Sequence, residues 1–405
     1  MIRTPANGRC TPRRYAFHSD SYDDPMKTAI TEMFGIDVPI LAFTHCRDVV
    51  VAVSKAGGMG VLGAVAHSDR SLDIDLEWIE AELGDRPYGI DLIVPAKYSG
   101  SDQGGLTIAD LEAMIPAANR QFVDDLLDRY GVPQLHDDAR HRGLMVGSDT
   151  SAPFSAARAD AQLDIALAHR PALVVNALGP PPGHMIERVK AAGRSVGALA
   201  GLPQHAARHV AAGVDVIIAQ GGEAGGHTGE IGTMVLIPEI VDAVGTTPVL
   251  GAGGIGGGRQ MAAAMALGAQ GVWCGSVWLT TDEAETHPAV KQKLLRATSS
   301  DTTRSTSRTG KPARQLKSAW TEEWSRSDAP ASLGMPLQPI LVDEAVRRID
   351  RAAHHAGSGA EQLANYFVGQ IVGSMNQSKP AARVVYEMIE DFIEAIERLN
   401  TQLNG

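Results

Sequence analysis

Short apolar runs alternate with amphipathic segments along most of the chain. From residue 28 onward, runs rich in Val, Ile, Leu and Ala are separated by segments in which apolar residues recur at helical spacing. This alternation predicts repeated βα units around a parallel sheet. Eight apolar runs predict strands at 39–43, 59–65, 88–94, 171–178, 195–201, 214–221, 248–254 and 271–278. Helices are predicted between them, at 48–56, 72–83, 183–192, 203–212 and 258–268.

The strand pattern favours a closed barrel over an open sheet. The runs are apolar on both faces, whereas the edge strands of an open sheet would show more alternation between apolar and polar positions. The predicted fold class is therefore α/β, with a (β/α)8 TIM barrel over residues 28–285. An open doubly wound sheet is the alternative.

One segment interrupts the βα rhythm after the third predicted strand. Residues 95–170, between the third and fourth predicted strands, are too many for a single crossover. Helical patterns at 106–131 and 154–170 flank the polar segment 134–143. We expect the part over about 95–150 to be an insertion above the barrel mouth, where it would limit substrate entry.

The two ends of the chain differ in texture from the barrel. Residues 1–27 are polar and contain proline, and they are predicted to be a flexible tail. Residues 286–380 begin with a segment rich in Ser, Thr and Arg, and they predict a helical extension or lid. Residues 381–405 contain a final amphipathic helix that is expected to pack on the barrel.

Composition and charge narrow the class of partners. The 405 residues carry a formal net charge of -11, which argues against binding to nucleic acid or acidic membranes because phosphate groups require a basic surface. Cys10, Cys46 and Cys274 show no CxxC spacing, so neither a disulfide framework nor a zinc knuckle is indicated. The sequence shows no apolar run of membrane-spanning length and no signal peptide. A cytoplasmic location is expected.

Two glycine-containing turns follow the last two predicted strands. The seventh strand continues into GAGGIGGG, Gly251–Gly258, and the eighth ends in WCGSV, Trp273–Val277. The loops after strands seven and eight commonly hold phosphate in these barrels. Small residues let backbone N–H groups approach the anion, and a helix N-terminus adds a favourable dipole. Glycines can simply make turns, but two such turns at these positions predict a phosphate site.

One histidine among the 13 lies at a predicted strand end. The sixth strand continues into AQGGEAGGHTG, Ala219–Gly229, which places His227 near the barrel mouth. An imidazole with a pKa near neutrality is suited to general base catalysis at this position, although most histidines are surface or core groups. No spaced carboxylate or second histidine accompanies His227, so no metal site is predicted.

The other candidate chemistry is weaker. A basic segment has two interpretations, a solvated loop or a site for the phosphate of a dinucleotide or coenzyme A, and it contains Arg304, Arg308, Lys311, Arg314 and Lys317. A Ser/His/Asp hydrolase is not indicated because the GxSxG motif is absent. Cys274 is interpreted as a cofactor-lining residue and not as a nucleophile.

Three motifs resemble those of the nitronate monooxygenase family, formerly called 2-nitropropane dioxygenases, and of the related FMN-dependent enoyl-acyl-carrier-protein reductases. They are KAGGMGVLG (55–63), AQGGEAGGHTG (219–229) and GAGGIGGGRQMAAAMALGAQGVWCGS (251–276). SRTGKPAR (307–314) and YFVGQIVG (366–373) are weaker similarities. The resemblance covers residues 30 to about 285 and implies an FMN-dependent oxidoreductase.

The resemblance also implies where FMN would bind. The residues expected at the phosphate are Gly253, Gly254, Gly275 and Ser276, with Trp273 and Cys274 lining the same turn. The residues expected around the isoalloxazine ring are Ala42, Phe43, Thr44, Asp91, Gln220, Gly221, Gly225 and Gly226. His227 would lie at the reactive face of the flavin, as a base or as an electrostatic partner of an anionic substrate.

Two positions differ from the family pattern. After the first strand the chain reads AFTHCRD, where members of the family usually have an Ala-Pro-Met or Gly-Gly-Met turn. Asp91 stands where they usually have Asn. An uncompensated negative charge at Asp91 would disfavour a reduced, anionic flavin.

Three functions fit the resemblance. The first is oxidation of alkyl nitronates by O₂ to a carbonyl compound and nitrite. The second is an NAD(P)H-dependent FMN reductase of an enoyl thioester or quinone, which the insertion and the basic segment would suit. The third is a flavin-binding barrel without turnover, against which His227 and Gln220 argue. The sequence is compatible with a homodimer.

Overall fold

Eight parallel strands close into a barrel in the computed structural model, which describes residues 26–94, 107–134, 156–355 and 357–404. The first six barrel strands are β1 (Ile40–Thr44), β2 (Met59–Gly63), β3 (Gly89–Leu92), β4 (Leu173–Asn176), β5 (Ser195–Ala200) and β6 (Val216–Gln220). The short strand β7 (Gly226–His227) lies outside the barrel, and β8 (Val249–Ala252) and β9 (Gly271–Cys274) complete it. Closure occurs where Leu41 of β1 pairs with Trp273 of β9.

The predicted barrel is confirmed, and each of the eight apolar runs overlaps one of its strands. Strands buried on both faces need apolar residues at every position, which explains the continuous runs. Leu41 and Val61 belong to the cluster inside the barrel. Their neighbours Ile40 and Leu62 belong to the cluster between the barrel and its helices. Successive residues therefore face opposite sides of the barrel wall.

Helices surround the barrel and cover one end of its interior. The helix α1 (Ala29–Phe34) packs Ile30 and Phe34 against the interior cluster. The outer helices are α2 (Arg47–Lys55), α3 (Asp69–Leu83), α6 (Ala156–Ala168), α7 (Gly183–Ala191), α8 (Pro203–Ala212), α9 (Thr233–Val244) and α10 (Gly258–Ala266), with α4 (Ile108–Ala113) and α5 (Ala117–Arg129) in the segment after β3. Helix α8 has the predicted bounds because it begins at a proline and ends at Gly213, which has a φ of 101°.

A second apolar cluster joins the segment after β3 to the C-terminal part of the chain. The remaining elements are α11 (Pro288–Arg296), β10 (Thr302–Ser305), β11 (Ala313–Leu316), α12 (Ala319–Glu323), α13 (Leu337–Ala352), α14 (Gly359–Leu363) and α15 (Ala381–Asn404). Leu126 and Leu127 of α5 pack with residues of α11, α12 and α13. Residues 1–25 of the predicted tail and the stretches 95–106 and 135–155 lie outside the described residues.

The final helix belongs to the wall around the barrel. Val385 and Met388 of α15 are part of the outer core cluster, and α15 contacts α10 and α2. Within the described ranges, no helix combines the length and apolar character needed to cross a membrane.

A small antiparallel sheet connects the C-terminal part to the barrel mouth. Its strand order is β10-β11-β7, and Ala313 of β11 pairs with His227 of β7. The sheet therefore brings residues near 310 beside the loop that follows β6.

Candidate active site

Strand alternation divides four of the residues predicted to line the cofactor site into two groups. Phe43 and Trp273 lie with the interior cluster, and their ring centroids are 5.9 Å apart in a stacked arrangement. Ala42 and Cys274 lie one position away on the same two strands and pack in the outer core. The side chains of Ala42 and Cys274 therefore point away from the barrel interior, where those of Phe43 and Trp273 lie. Burial raises the pKa of the Cys274 thiol to about 12, which keeps it protonated.

The two predicted phosphate turns leave backbone donors available. Gly253 and Gly254 follow β8 with φ values of 100° and 69°, a left-handed conformation that favours glycine. Gly275 follows β9. Within the described residues, the N–H groups of these three glycines make no hydrogen bond to protein. Successive free N–H groups of this kind suit an anion such as a phosphate.

Ser276 completes the cradle and connects it to the C-terminal part of the chain. The Ser276 hydroxyl accepts a 2.8 Å hydrogen bond from the N–H of Gly369, which leaves its own hydrogen free to donate to a phosphate. Gly225 packs so closely against the same segment that a Cβ there would lie 2.8 Å from the Gly369 nitrogen. The segment YFVGQIVG, which contains Gly369, therefore packs against the residues of the predicted phosphate site.

Polar contacts hold the loop after β6 in place. Glu223 accepts hydrogen bonds of 2.8 Å from the backbone N–H and the hydroxyl of Thr233 at the start of α9. Arg314 donates two hydrogen bonds, of 3.0 and 2.8 Å, to the carbonyl of Gly222. Gly221 donates its N–H to the carbonyl of Ala252, so it offers no free donor to a cofactor. Gly226 pairs with Arg314 in the small sheet.

Two polar side chains on inward-facing positions lack protein partners. Asp91 of β3 is 4% exposed, and its Oδ1 is buried without a hydrogen-bond partner. Gln220 ends β6 half-buried, two positions after the inward-facing Ile218. Burial raises the pKa of Asp91 well above its usual value. Burial therefore favours the neutral carboxylic acid form of Asp91, which can donate a hydrogen bond as the amide of Asn does.

Replacing Asp91 with Asn tests this protonation state without any cofactor. The unfolded chain ionises Asp91 above about pH 4, whereas burial raises the pKa of Asp91 in the folded chain, so wild-type stability falls as pH rises above that value. Asp91→Asn removes this dependence, and its stability relative to wild type should increase by up to about 1.4 kcal/mol per pH unit. Denaturation of the flavin-free proteins between pH 5 and 8 measures the difference. Parallel curves for the two proteins would show that Asp91 is ionised.

The turn after β1 contains a residue that the sequence analysis did not assign. Thr44 accepts a hydrogen bond from the N–H of Cys46, so its side chain is committed to the turn. His45 is bonded through Nδ1 to the carbonyl of Gly63, at 2.9 Å, and its ring contacts the edge of Phe43. Burial lowers the pKa of His45. The departure of AFTHCRD from the family pattern was the available signal for this neutral histidine.

His227 lies in β7, between the barrel mouth and the C-terminal part. Its Nε2 is 2.8 Å from the hydroxyl of Thr309, and its ring centroid is 6.5 Å from that of Phe367. Its Nδ1 makes no hydrogen bond to another described residue. Burial first, and the charge of Lys311 second, lower the pKa of His227 to about 4. The expectation of a pKa near neutrality is therefore corrected, and His227 is neutral at pH 7.

The basic segment as a whole is neither a solvated loop nor a cluster of cations free to bind phosphate. Arg304 donates to the carbonyl of Thr228 and lies 3.6 Å from Glu230. Arg308 donates to Asn365 and lies over the ring of Phe367. Together with Arg314, these arginines brace the loops around His227. Lys311 and Lys317 are exposed.

The described residues contain one group with the proximity that a metal site requires, Cys46, Asp48 and Glu285. The Cys46 thiol already donates to the carbonyl of Glu283, and burial raises its pKa. Across the described ranges, His227 belongs to no such group.

Comparison with known sequences gives the family. The family model described as nitronate monooxygenase matches residues 25–391. Rv1533 of Mycobacterium tuberculosis, which is named as a monooxygenase, is 55% identical over 377 residues, covering 92% of this chain and 98% of the relative. A Staphylococcus saprophyticus protein named as a nitronate monooxygenase is 28% identical over 319 residues, covering 75% of this chain and 82% of the relative.

Comparison with solved structures agrees with the barrel. Nitroalkane oxidase from Streptomyces ansochromogenes gives a TM-score of 0.74 at 25% identity, covering 92% of this chain and 100% of that chain. FabK from Thermotoga maritima gives a TM-score of 0.66 at 23% identity, covering 93% of this chain and 99% of that chain, which shows likeness of fold alone. On the family match and the sequence relatives, the chain belongs to the nitronate monooxygenase family and is an oxidoreductase.

Proposed function

We propose that this protein is an FMN-dependent nitronate monooxygenase that oxidises alkyl nitronates with O₂ to a carbonyl compound and nitrite. The observation that carries the proposal is His227, a neutral imidazole beside the barrel mouth whose Nε2 bonds to Thr309 and whose Nδ1 makes no hydrogen bond to a described residue. The name of the Streptomyces structure, a nitroalkane oxidase, agrees with this substrate class.

The residues present fit a flavin with a single phosphate. Free N–H groups of Gly253, Gly254 and Gly275 and the hydroxyl of Ser276 would hold the phosphate. Phe43 and Trp273 supply an apolar floor, and Asp91 and Gln220 supply polar contacts to the ring system. A bound flavin would accept electrons from the substrate and pass them to O₂.

His227 would act on the substrate in one of two ways. With a neutral nitroalkane, Nδ1 accepts the proton from the carbon next to the nitro group and so generates the nitronate. The imidazolium that results then lies beside the nitronate, and their attraction offsets the cost of a buried charge. With a preformed nitronate no proton transfer is needed, and the positive charge of Lys311 near His227 favours the anion.

The reductase alternative has less support from the geometry. Cations that are free to bind phosphate would favour a nicotinamide dinucleotide at the mouth. Within the basic segment, Arg304, Arg308 and Arg314 are bonded to loops of the chain itself. The side chains of Lys311 and Lys317 remain at the surface.

The proposal is tested with purified, flavin-loaded protein and ethyl nitronate in air. We expect FMN to be released on denaturation, and we expect nitrite and acetaldehyde to form in equal amounts. The matched control is the same protein stripped of flavin, which should form neither. Steady oxidation of NADH or NADPH without nitrite from the nitronate would overturn the proposal and favour a reductase. Bound flavin with neither activity would favour a binding protein.

A further inference from the structure

We propose that Thr309 is a positioning residue that holds His227 with its proton on Nε2, so that Nδ1 is the atom that accepts the substrate proton. The proposal deepens the proposed function and rests on it for the identity of the proton that is transferred. The state of the imidazole itself is independent of the substrate.

The contact between the two side chains is short and shielded from solvent. The hydroxyl of Thr309 lies 2.8 Å from Nε2 of His227. Thr309 is 1% exposed, and water therefore cannot replace it as a partner. The two residues are 82 positions apart in the chain, and the pairing of Ala313 with His227 between β11 and β7 brings them together.

The hydrogen bonds of Thr309 favour one direction for this contact. A threonine hydroxyl has one hydrogen to donate and two lone pairs that accept. The Thr309 hydroxyl donates to the carbonyl of Lys311 at 3.1 Å. With its hydrogen used there, the oxygen accepts from the Nε2–H of His227.

The opposite tautomer would cost a hydrogen bond within the loop. With its proton on Nδ1, His227 would require Thr309 to donate to Nε2, and the carbonyl of Lys311 would lose its side-chain donor. The Nδ1–H would gain no acceptor among the described residues in return. A neutral imidazole carries a single proton, and the described contacts therefore assign it to Nε2.

The loop that carries Thr309 is held by contacts on both sides. Ser307 is fully buried, and its carbonyl accepts a 2.8 Å hydrogen bond from the side chain of Gln338 on α13. The N–H of Gly310 donates to the carbonyl of Thr306 at 2.8 Å. A hydroxyl presented by a fixed loop can orient the imidazole ring, as the partner of a catalytic histidine commonly does.

The experiment compares wild type with Thr309→Val, Thr309→Ser and Thr306→Val. Valine keeps the shape of the side chain and removes the hydroxyl, whereas serine keeps the hydroxyl. Thr306 is the matched control, since it lies in the same loop and its hydroxyl bonds to Ser332. The tautomer is read from nitrogen chemical shifts of ¹⁵N-labelled histidine side chains in the full chain, and His227→Asn identifies the signals of His227.

We expect a protonated Nε2 and an unprotonated Nδ1 in wild type, Thr309→Ser and Thr306→Val, and a mixture of tautomers in Thr309→Val. With a neutral nitroalkane, kcat should fall by about 10- to 100-fold in Thr309→Val and should recover in Thr309→Ser. With a preformed nitronate the loss should be smaller.

A protonated Nδ1 in wild type would overturn the proposal, and so would an unchanged tautomer in Thr309→Val. If Thr309→Val does not fold, Thr309→Ala takes its place. A protonated Nδ1 in wild type, or an unchanged tautomer in Thr309→Ala, would then overturn the proposal. Failure of the proposed function looks different, because no nitrite would then form although the spectra keep the expected tautomer.

Discussion

Replacing His227 with Asn is expected to lower kcat/KM for a neutral nitroalkane by about 10²- to 10⁴-fold, because the variant cannot accept the substrate proton. This factor corresponds to about 3–5 kcal/mol of transition-state stabilisation. With a preformed nitronate the loss should be much smaller, since no proton is transferred. The FMN content should stay near that of wild type, because the phosphate donors follow β8 and β9. Nitrite release from matched nitroalkane and nitronate measures both effects.

The pH dependence of kcat/KM in the wild-type enzyme is a second test of His227 as the base. Only the unprotonated imidazole can accept a proton, and the pKa of His227 in the free enzyme is about 4. We therefore expect kcat/KM for the nitroalkane to fall on the acid side near pH 4, and not near the usual value of about 6.5. Equal losses on nitroalkane and nitronate, or a loss of flavin in the variant, would contradict a role as base.

Replacing Gly253 with Ala is expected to weaken FMN binding by about 10- to 100-fold, which is the effect of losing one hydrogen bond to a charged group. The φ of Gly253 is 100°, and a Cβ there would lie 2.8 Å from the hydroxyl oxygen of Thr233 and 2.9 Å from the carbonyl oxygen of Gly221. The turn must therefore shift, and its N–H groups shift with it. Titration of the flavin-free protein with FMN measures the dissociation constant.

Gly245→Ala is the matched control for Gly253→Ala. Gly245 ends α9 with a φ of 61°, and nothing lies within 4 Å of the position that its Cβ would take. This variant carries comparable backbone strain but leaves the phosphate turn intact. We expect Gly245→Ala to be destabilised and to bind FMN as wild type does. If the two variants bind FMN with equal affinity, the phosphate does not bind at the turn after β8.

The barrel could be predicted because its strands are buried on both faces, which gives continuous apolar runs that are easy to count. The same property hides the direction of each side chain. With no alternation between polar and apolar residues in a run such as 271–278, nothing local marks Trp273 as inward and Cys274 as outward. The phosphate turns were recognisable because their requirement for glycine is local.

The chemistry of His227 depends on contacts that no local pattern reports. Its pKa was expected near neutrality, but burial and Lys311 lower it to about 4. Thr309 and Phe367 come from segments far along the chain and reach His227 through the pairing of β7 with β11 and the bridge between Gln315 and Phe367. The packing of α5 against the C-terminal helices was missed for the same reason.

Anaerobic stopped-flow reduction of the flavin-loaded protein shows whether a nitronate or a nicotinamide nucleotide donates electrons to the flavin. Ethyl nitronate, NADH and NADPH are mixed separately with the protein, and the absorbance of the oxidised flavin is followed over time. We expect rapid loss of this absorbance with the nitronate, no comparable change with either nicotinamide nucleotide, and recovery of the absorbance when O₂ is admitted. Rapid reduction by NADH or NADPH, together with no reduction by the nitronate, would contradict the proposed function.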